Sequence, residues 1–279
     1  MSLANFFQHR AYLLIVVLIT TLATTLLATQ ATAQAWEIWD LSNEQNVEVI
    51  DHSQWQEVLT TYIKTDETGL NLFDYQAAAN NPANLHAYLH DMLSIDPRAY
   101  AKIEQYAYWI NLYNALTVDL ILDNYPVSSI TKVSEKLFQF GPWDDQVAEI
   151  AGEVLTLNDI EHRILRPIWA DLRIHFAVNC ASIGCPNLQT KAFTSANIES
   201  LLNSSARDYL SHPRAASFNG LGFLVLSSIF DWYAEDFGDN EEEVLKKLSE
   251  YAPTELAEEL VNYSGFIFYE YDWDLNDIQ

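Results

Sequence analysis

The sequence predicts a helix-rich α+β fold: a single domain around a central buried helix, with a small, mainly antiparallel sheet. Three observations carry this. Segment 103–124, which contains EQYAYWINLYNALTVDLILDN, is apolar almost all round, the pattern of a helix enclosed by protein rather than lying on its surface. Amphipathic helical stretches recur on both sides of it, whereas strand-like alternation is confined to short runs. With 13% aromatic residues, the roughly 240 residues that follow position 35 can bury a sizeable core.

The elements follow in order. Residues 1–35 read as a secretory signal peptide: Arg10 precedes an apolar run, and small residues allow cleavage after Ala33 or Ala35. The rival is an uncleaved anchor, because the run is close to the length of a membrane span. Residues 36–69 form a lead-in with a helix at 53–65 that packs on the domain. A strand is expected at 70–75 and a helix at 80–92. Pro126 ends the central helix.

Segment 156–166, TLNDIEHRILR, opens with a capping box, Thr156 and Asp159. Residues 173–180 alternate as a strand, with Arg173, His175, Ala177 and Asn179 on one face and Cys180 on the other. A turn follows at 181–184, and Cys185-Pro186 is expected to begin a helical turn. Next come a helix at 195–210 and a hairpin about Asn219-Gly220, joining 215–218 to 221–226. A second capping box, Ser228 and Asp231, starts segment 228–236. Helices at 241–251 and 254–263 and a last strand at 266–271 complete the chain.

The formal charge of −25 becomes slightly more negative once Arg10 is removed with the leader. Such a surface repels nucleic acid and anionic lipid. No segment after the leader is long and apolar enough to span a bilayer. The expectation is an exported protein, periplasmic or extracellular, with a protein, peptide or glycan as partner and no cofactor.

Asn111 and Asn114 lie on one face of the central helix among aliphatic residues, so their amides need partners. They can pin neighbouring loop backbone, or one of them can orient a histidine. Glu161 falls inside the apolar stripe of its helix, opposite His162 and Arg166. A carboxylate there is costly unless paired, and Arg173 is a candidate partner.

Four blocks together carry a family resemblance: AYWINLYNALTV, LTLNDIEHRILRP, DLRIHFAVNCASIGCPNL and SIFDWYAEDFG, with YDWDLN at the end. From about residue 70 to 279 the chain resembles DUF547, a domain of unknown function found in bacteria and plants. The resemblance implies no established catalytic set. It marks Asn111, Asn114, Glu161, His162, Arg166, Arg173, His175, Cys185, Asp231 and Trp232 as motif positions. Where a Ser-Cys-Pro-Pro run is usual, this chain has Gly184-Cys185-Pro186-Asn187, which removes a hydroxyl and keeps Cys185.

Three chemistries fit these residues. In the first the domain is non-catalytic: Cys180–Cys185 is a disulfide that staples a corner, and exposed aromatics such as Trp143 and Trp273 bind a partner. In the second, Cys185 is the nucleophile of a thiol-dependent acyl transferase or hydrolase. Its thiol is activated at a helix N-terminus, with His175 or His162 as base and Asn111 or Glu161 orienting the imidazole. Cys180 is disfavoured there because strand alternation turns it away from His175. The third is a zinc site from Cys180, Cys185, His162 and His175; alternation counts against that as well.

Overall fold

The computed structural model describes residues 36–133 and 140–278. The expected signal peptide and its cleavage sites lie outside the described residues.

The lead-in is tied down by its tryptophans. Trp39 is buried edge-on against Trp109 of the central helix, and Trp36 lies under the Arg163 guanidinium. Helix α1 (Ser53–Tyr62) runs into strand β1 (Ile63–Thr65), which pairs antiparallel with β2 (Asn71–Phe73). The chain then forms α2 (Tyr75–Asn80), capped by the Asp74 carboxylate, and α3 (Ala83–Ser94).

Helix α4 (Lys102–Asn124) is the axis of the fold. Every residue from Glu104 to Val118 is buried, as its all-round apolar pattern requires. An Ala151-Gly152 turn, both residues in the left-handed region, joins β3 (Gln146–Ile150) to β4 (Glu153–Thr156). This hairpin was not anticipated. The Thr156–Asp159 capping box forms as expected, with each side chain bonding the other's backbone N–H.

The helix it starts is not regular. Asp159–Leu165 winds as a π-helix before α5 (Arg166–Trp169), and π turns of this kind cluster at functional sites. The Ser228 side chain makes no such cap.

The main correction concerns residues 173–180. No strand forms there. Leu172–Phe176 is a 3-10 helix started by the Asp171 carboxylate, which accepts the Arg173 N–H, and the chain then runs irregularly to Cys180. Loop backbone here bonds to side chains instead of a neighbouring strand: Asn114 donates to Ala177 O and accepts from Asn179 N, and Asn179 donates to Pro186 O. Strict alternation is therefore present in the sequence without a ladder to use it.

Helix α6 (Ile198–Leu210) packs on the 3-10 turn. Strand β5 (Ala216–Phe218) pairs antiparallel with β6 (Leu224–Ser227), and β6 pairs in parallel with β7 (Ile267–Glu270). The loop joining β5 to β6 is longer than the two-residue turn expected. Gly222 takes the left-handed conformation, and the Asn219 side chain accepts the N–H groups of Leu221 and Phe223.

Four helices lie between β6 and β7: α7 (Ile229–Trp232), α8 (Ala234–Phe237), α9 (Glu241–Ser249) and α10 (Thr254–Asn262). The helix-rich α+β class is what the structure shows, with one parallel pair in the three-stranded sheet. Two apolar cores result, a large one around α4 and a smaller one around Phe176, Phe230 and Phe237. Among the described residues no helix is long and apolar enough to cross a membrane.

Candidate functional site

A cavity of about 420 Å³ opens where the two cores meet, within the size range of small-molecule sites. Tyr113 of α4 forms part of its lining, and Glu161 of the π turn and His175 of the 3-10 turn converge on it. Cys180 and Cys185 join from the following loop, Trp232 and Tyr233 from the end of α7, and Tyr271 and Trp273 from the C-terminal segment.

Two glycines allow this assembly. A Cβ on Gly184 would lie 2.8 Å from the Asp272 backbone nitrogen, so only glycine lets the cysteine loop and the C-terminal segment touch. Across that contact Gly184 N–H donates to Asp272 O and Ile183 N–H to Asp274 O. Gly184 is thus a close-approach residue. Gly141, at φ 73, lets the Trp143 ring fold back over the chain and reach the cavity.

The sulfur chemistry differs from the sequence expectation. Cys185 begins no helix; it sits in a turn, its N–H donating to Ser182 O. It is buried, and burial together with its neighbour Cys180 pushes its thiol well above the ordinary range. The macrodipole argument for Cys185 therefore has no helix to rest on.

Cys180 is half-buried, and its sulfur meets Cys185 Sγ at 2.8 Å, Tyr271 OH at 3.0 Å and Ser182 Oγ at 3.2 Å. Burial raises this thiol too, but hydrogen bonds from Cys185, Ser182 and Tyr271 outweigh that and hold it below its usual value. The two cysteines are free thiols in this structure, their sulfurs farther apart than the 2.03–2.05 Å of a disulfide bond.

His175 reaches the cavity despite being only 3% exposed. Its Nε2 lies 2.6 Å from Asp236 Oδ2, its ring stacks on Tyr233 with centroids 4.3 Å apart, and its Nδ1 makes no hydrogen bond among the described residues. Asp236 was missed in the sequence, although it lies in the SIFDWYAEDFG block. Arg166 Nε donates to the same Oδ2 at 2.6 Å. Burial alone would raise Asp236, but His175 and Arg166 overcome it and hold the carboxyl well below the usual range.

Glu161, 4% exposed, lines the cavity beside Tyr233; its charge, and then burial, drive that phenol far above its ordinary value.

The remaining expected residues fall elsewhere. Arg173 does not pair with Glu161; it forms a fork with Asp171 and reaches Glu199. Asn111 clasps the Phe193 backbone through both its N–H₂ and its oxygen, and Asn114 holds the loop at residues 177–179, so neither orients a histidine.

His162 bonds Arg166 at 3.2 Å and does not line the cavity. Asp231 is exposed and outside it, while the neighbouring Trp232 is 46% exposed and on its rim. The zinc grouping does not assemble, because among the described residues no three His, Cys, Asp or Glu side chains meet in a metal-holding cluster.

Residues 97–210 match the family described as "Protein of unknown function, DUF547". Over those residues the chain is similar to DUF547. No curated protein and no solved structure matches it. The DUF547 match spans Glu161, His175, Cys180 and Cys185, whereas Asp236 and the wall formed by Trp232, Tyr233, Tyr271 and Trp273 lie beyond it. The carboxyl, imidazole and thiol groups of the cavity and much of the aromatic surface around them thus come from different parts of the chain.

Proposed function

We propose that this cavity is a thiol-dependent acyl-transfer site, of hydrolase or transferase type, with Cys180 as nucleophile. The observation that supports it is the setting of the Cys180 sulfur: it lines the cavity within hydrogen-bond distance of Cys185 Sγ, Ser182 Oγ and Tyr271 OH, each able to donate to a thiolate. With the Cys180 proton held on His175, the thiolate attacks an acyl carbonyl carbon and forms a C–S bond. The C–N or C–O bond to the leaving group breaks, and that group takes a proton from His175. Water, giving its proton back to His175, then cleaves the thioester and restores Cys180.

Asp236 takes the part of the carboxylate that orients an imidazole, leaving Nδ1 for the cavity. No hydrogen bond joins His175 to the sulfur among the described residues, so the proton route runs through the substrate.

The test is iodoacetamide labelling of native, reduced protein, read by peptide mass spectrometry. Cys180 is expected to react at least tenfold faster than Cys185, and Tyr271→Phe to slow it. Hydrolysis of p-nitrophenyl acetate should be lost in Cys180→Ser and reduced in His175→Gln. Preferential labelling of Cys185, or undiminished hydrolysis in Cys180→Ser, would refute the assignment.

A second reading draws on the 2.8 Å approach of the two sulfurs. Residues 1–35 suggest export, and in an oxidising compartment the pair would close to a disulfide that staples the loop. The cavity would then bind a protein, peptide or glycan without chemistry. Thiol titration of unreduced, exported protein separates the two: two reactive thiols support the enzyme, none supports the staple.

A further inference from the structure

We infer that the cavity selects an organic cation, so that the substrate offered to Cys180 carries an alkylated ammonium centre. The substrate role rests on the thiol-site reading; the binding preference does not.

Trp273 is the hub of the aromatic wall. Its ring lies 4.5 Å from Tyr271, 5.5 Å from Trp232 in a stacked arrangement and 5.6 Å from Trp143, centroid to centroid, and all four side chains line the cavity. Indole and phenol faces are the negative poles of their quadrupoles and attract weakly hydrated cations.

Two carboxylates, Glu161 and Asp144, line the same cavity. Among the described residues it has no lysine or arginine in its lining, and its one histidine, His175, is already paired with Asp236. Glu161 is the telling group. It is buried, and its ion-pair contact is His162 Nδ1 at a distant 3.9 Å; Arg166, which feels its charge from farther off, is committed to Asp236 and Glu235.

A buried carboxylate without a close cationic partner is costly, and a bound cation would remove that cost. An anionic ligand would meet Glu161 and Asp144 repulsively. A neutral sugar could stack on the tryptophans but would leave Glu161 without a countercharge. The chain's formal charge of −25 further enriches cations near the surface.

The experiment is a titration followed by tryptophan fluorescence, at constant ionic strength, on full-length protein after any leader is removed. The ligands are choline, its neutral isostere 3,3-dimethyl-1-butanol, and methyl glucoside. Choline is expected to bind saturably, at least tenfold more tightly than the isostere or the glucoside. Trp232→Ala, at an exposed rim position, and the isosteric Glu161→Gln should each weaken choline at least fivefold.

Choline binding is read without any acyl substrate, so failure of the thiol chemistry would leave this result standing. Equal affinity for choline and its isostere, tighter binding of the glucoside, or no saturable choline binding by the folded protein would overturn the inference.

Discussion

Replacing Asp236 with asparagine tests the part of the site that depends on charge. One oxygen, Oδ2, accepts from both His175 Nε2 and Arg166 Nε at 2.6 Å. Charge-assisted hydrogen bonds contribute about 1.5–3 kcal/mol each against about 1 kcal/mol for neutral ones. Asparagine keeps an acceptor but not the charge, and Arg166 keeps the exposed Glu235 as its salt-bridge partner with the Glu161 charge farther off.

The loss is therefore about 2–3 kcal/mol, or roughly 4–12 °C in Tm for a chain of this size. Because the folded-state carboxyl is held below its unfolded value, this stability is present in full above the unfolded pKa. It is lost as pH falls toward the folded one. Thermal unfolding by circular dichroism at pH 7 and at successively lower pH reads both effects. The gap between wild type and Asp236→Asn should be full near pH 5 and narrow below about pH 4. A Tm difference under about 1 °C at pH 7, or a gap that widens on acidification, would refute the reasoning.

Two further outcomes follow from buried polar groups. Asn111→Ala removes both hydrogen bonds to the Phe193 backbone at a fully buried position, and should cost about 2–4 kcal/mol in urea unfolding. Cys180 labelling should be unchanged in the folded variant, because Asn111 does not line the cavity. His52 is buried with Nδ1 at 2.7 Å from Tyr88 OH, and burial pushes its pKa from 6.5 down to about 4 against the weaker pull of Asp51. Between those values the unfolded chain binds the extra proton, so stability is lost as pH is lowered, by roughly 3 kcal/mol across the window. His52→Gln should flatten the urea midpoint between pH 7 and pH 4, and an unaltered slope would count against the argument.

The parts of the fold that were legible in advance are those encoded locally. The all-round apolar pattern of α4, the Thr156–Asp159 box and the amphipathic stripe of α6 each depend on residues within a turn or two of one another. The 173–180 segment shows the limit. Its alternation is real, but a strand also needs a neighbour to bond, and the neighbours here are the side chains of Asp171, Asn114 and Asn179. With the strand went the reason for setting Cys180 aside, and with the absent helix at Cys185 went the reason for preferring it.

What the sequence determined by itself was therefore the class of the fold, the central helix and four residues that line the cavity: Glu161, His175 and the two cysteines, within blocks that resemble DUF547. Only the tertiary structure decided which cysteine holds the lowered pKa and that Asp236 partners His175. It also decided that Arg173 and the asparagine pair serve loop backbone or surface carboxylates instead of the cavity. The physical reason is that helix periodicity and capping are fixed over short spans by side-chain direction. A thiol's pKa and a histidine's partner instead depend on groups that arrive from far along the chain, Tyr271 at one sulfur and Asp236 at one imidazole nitrogen.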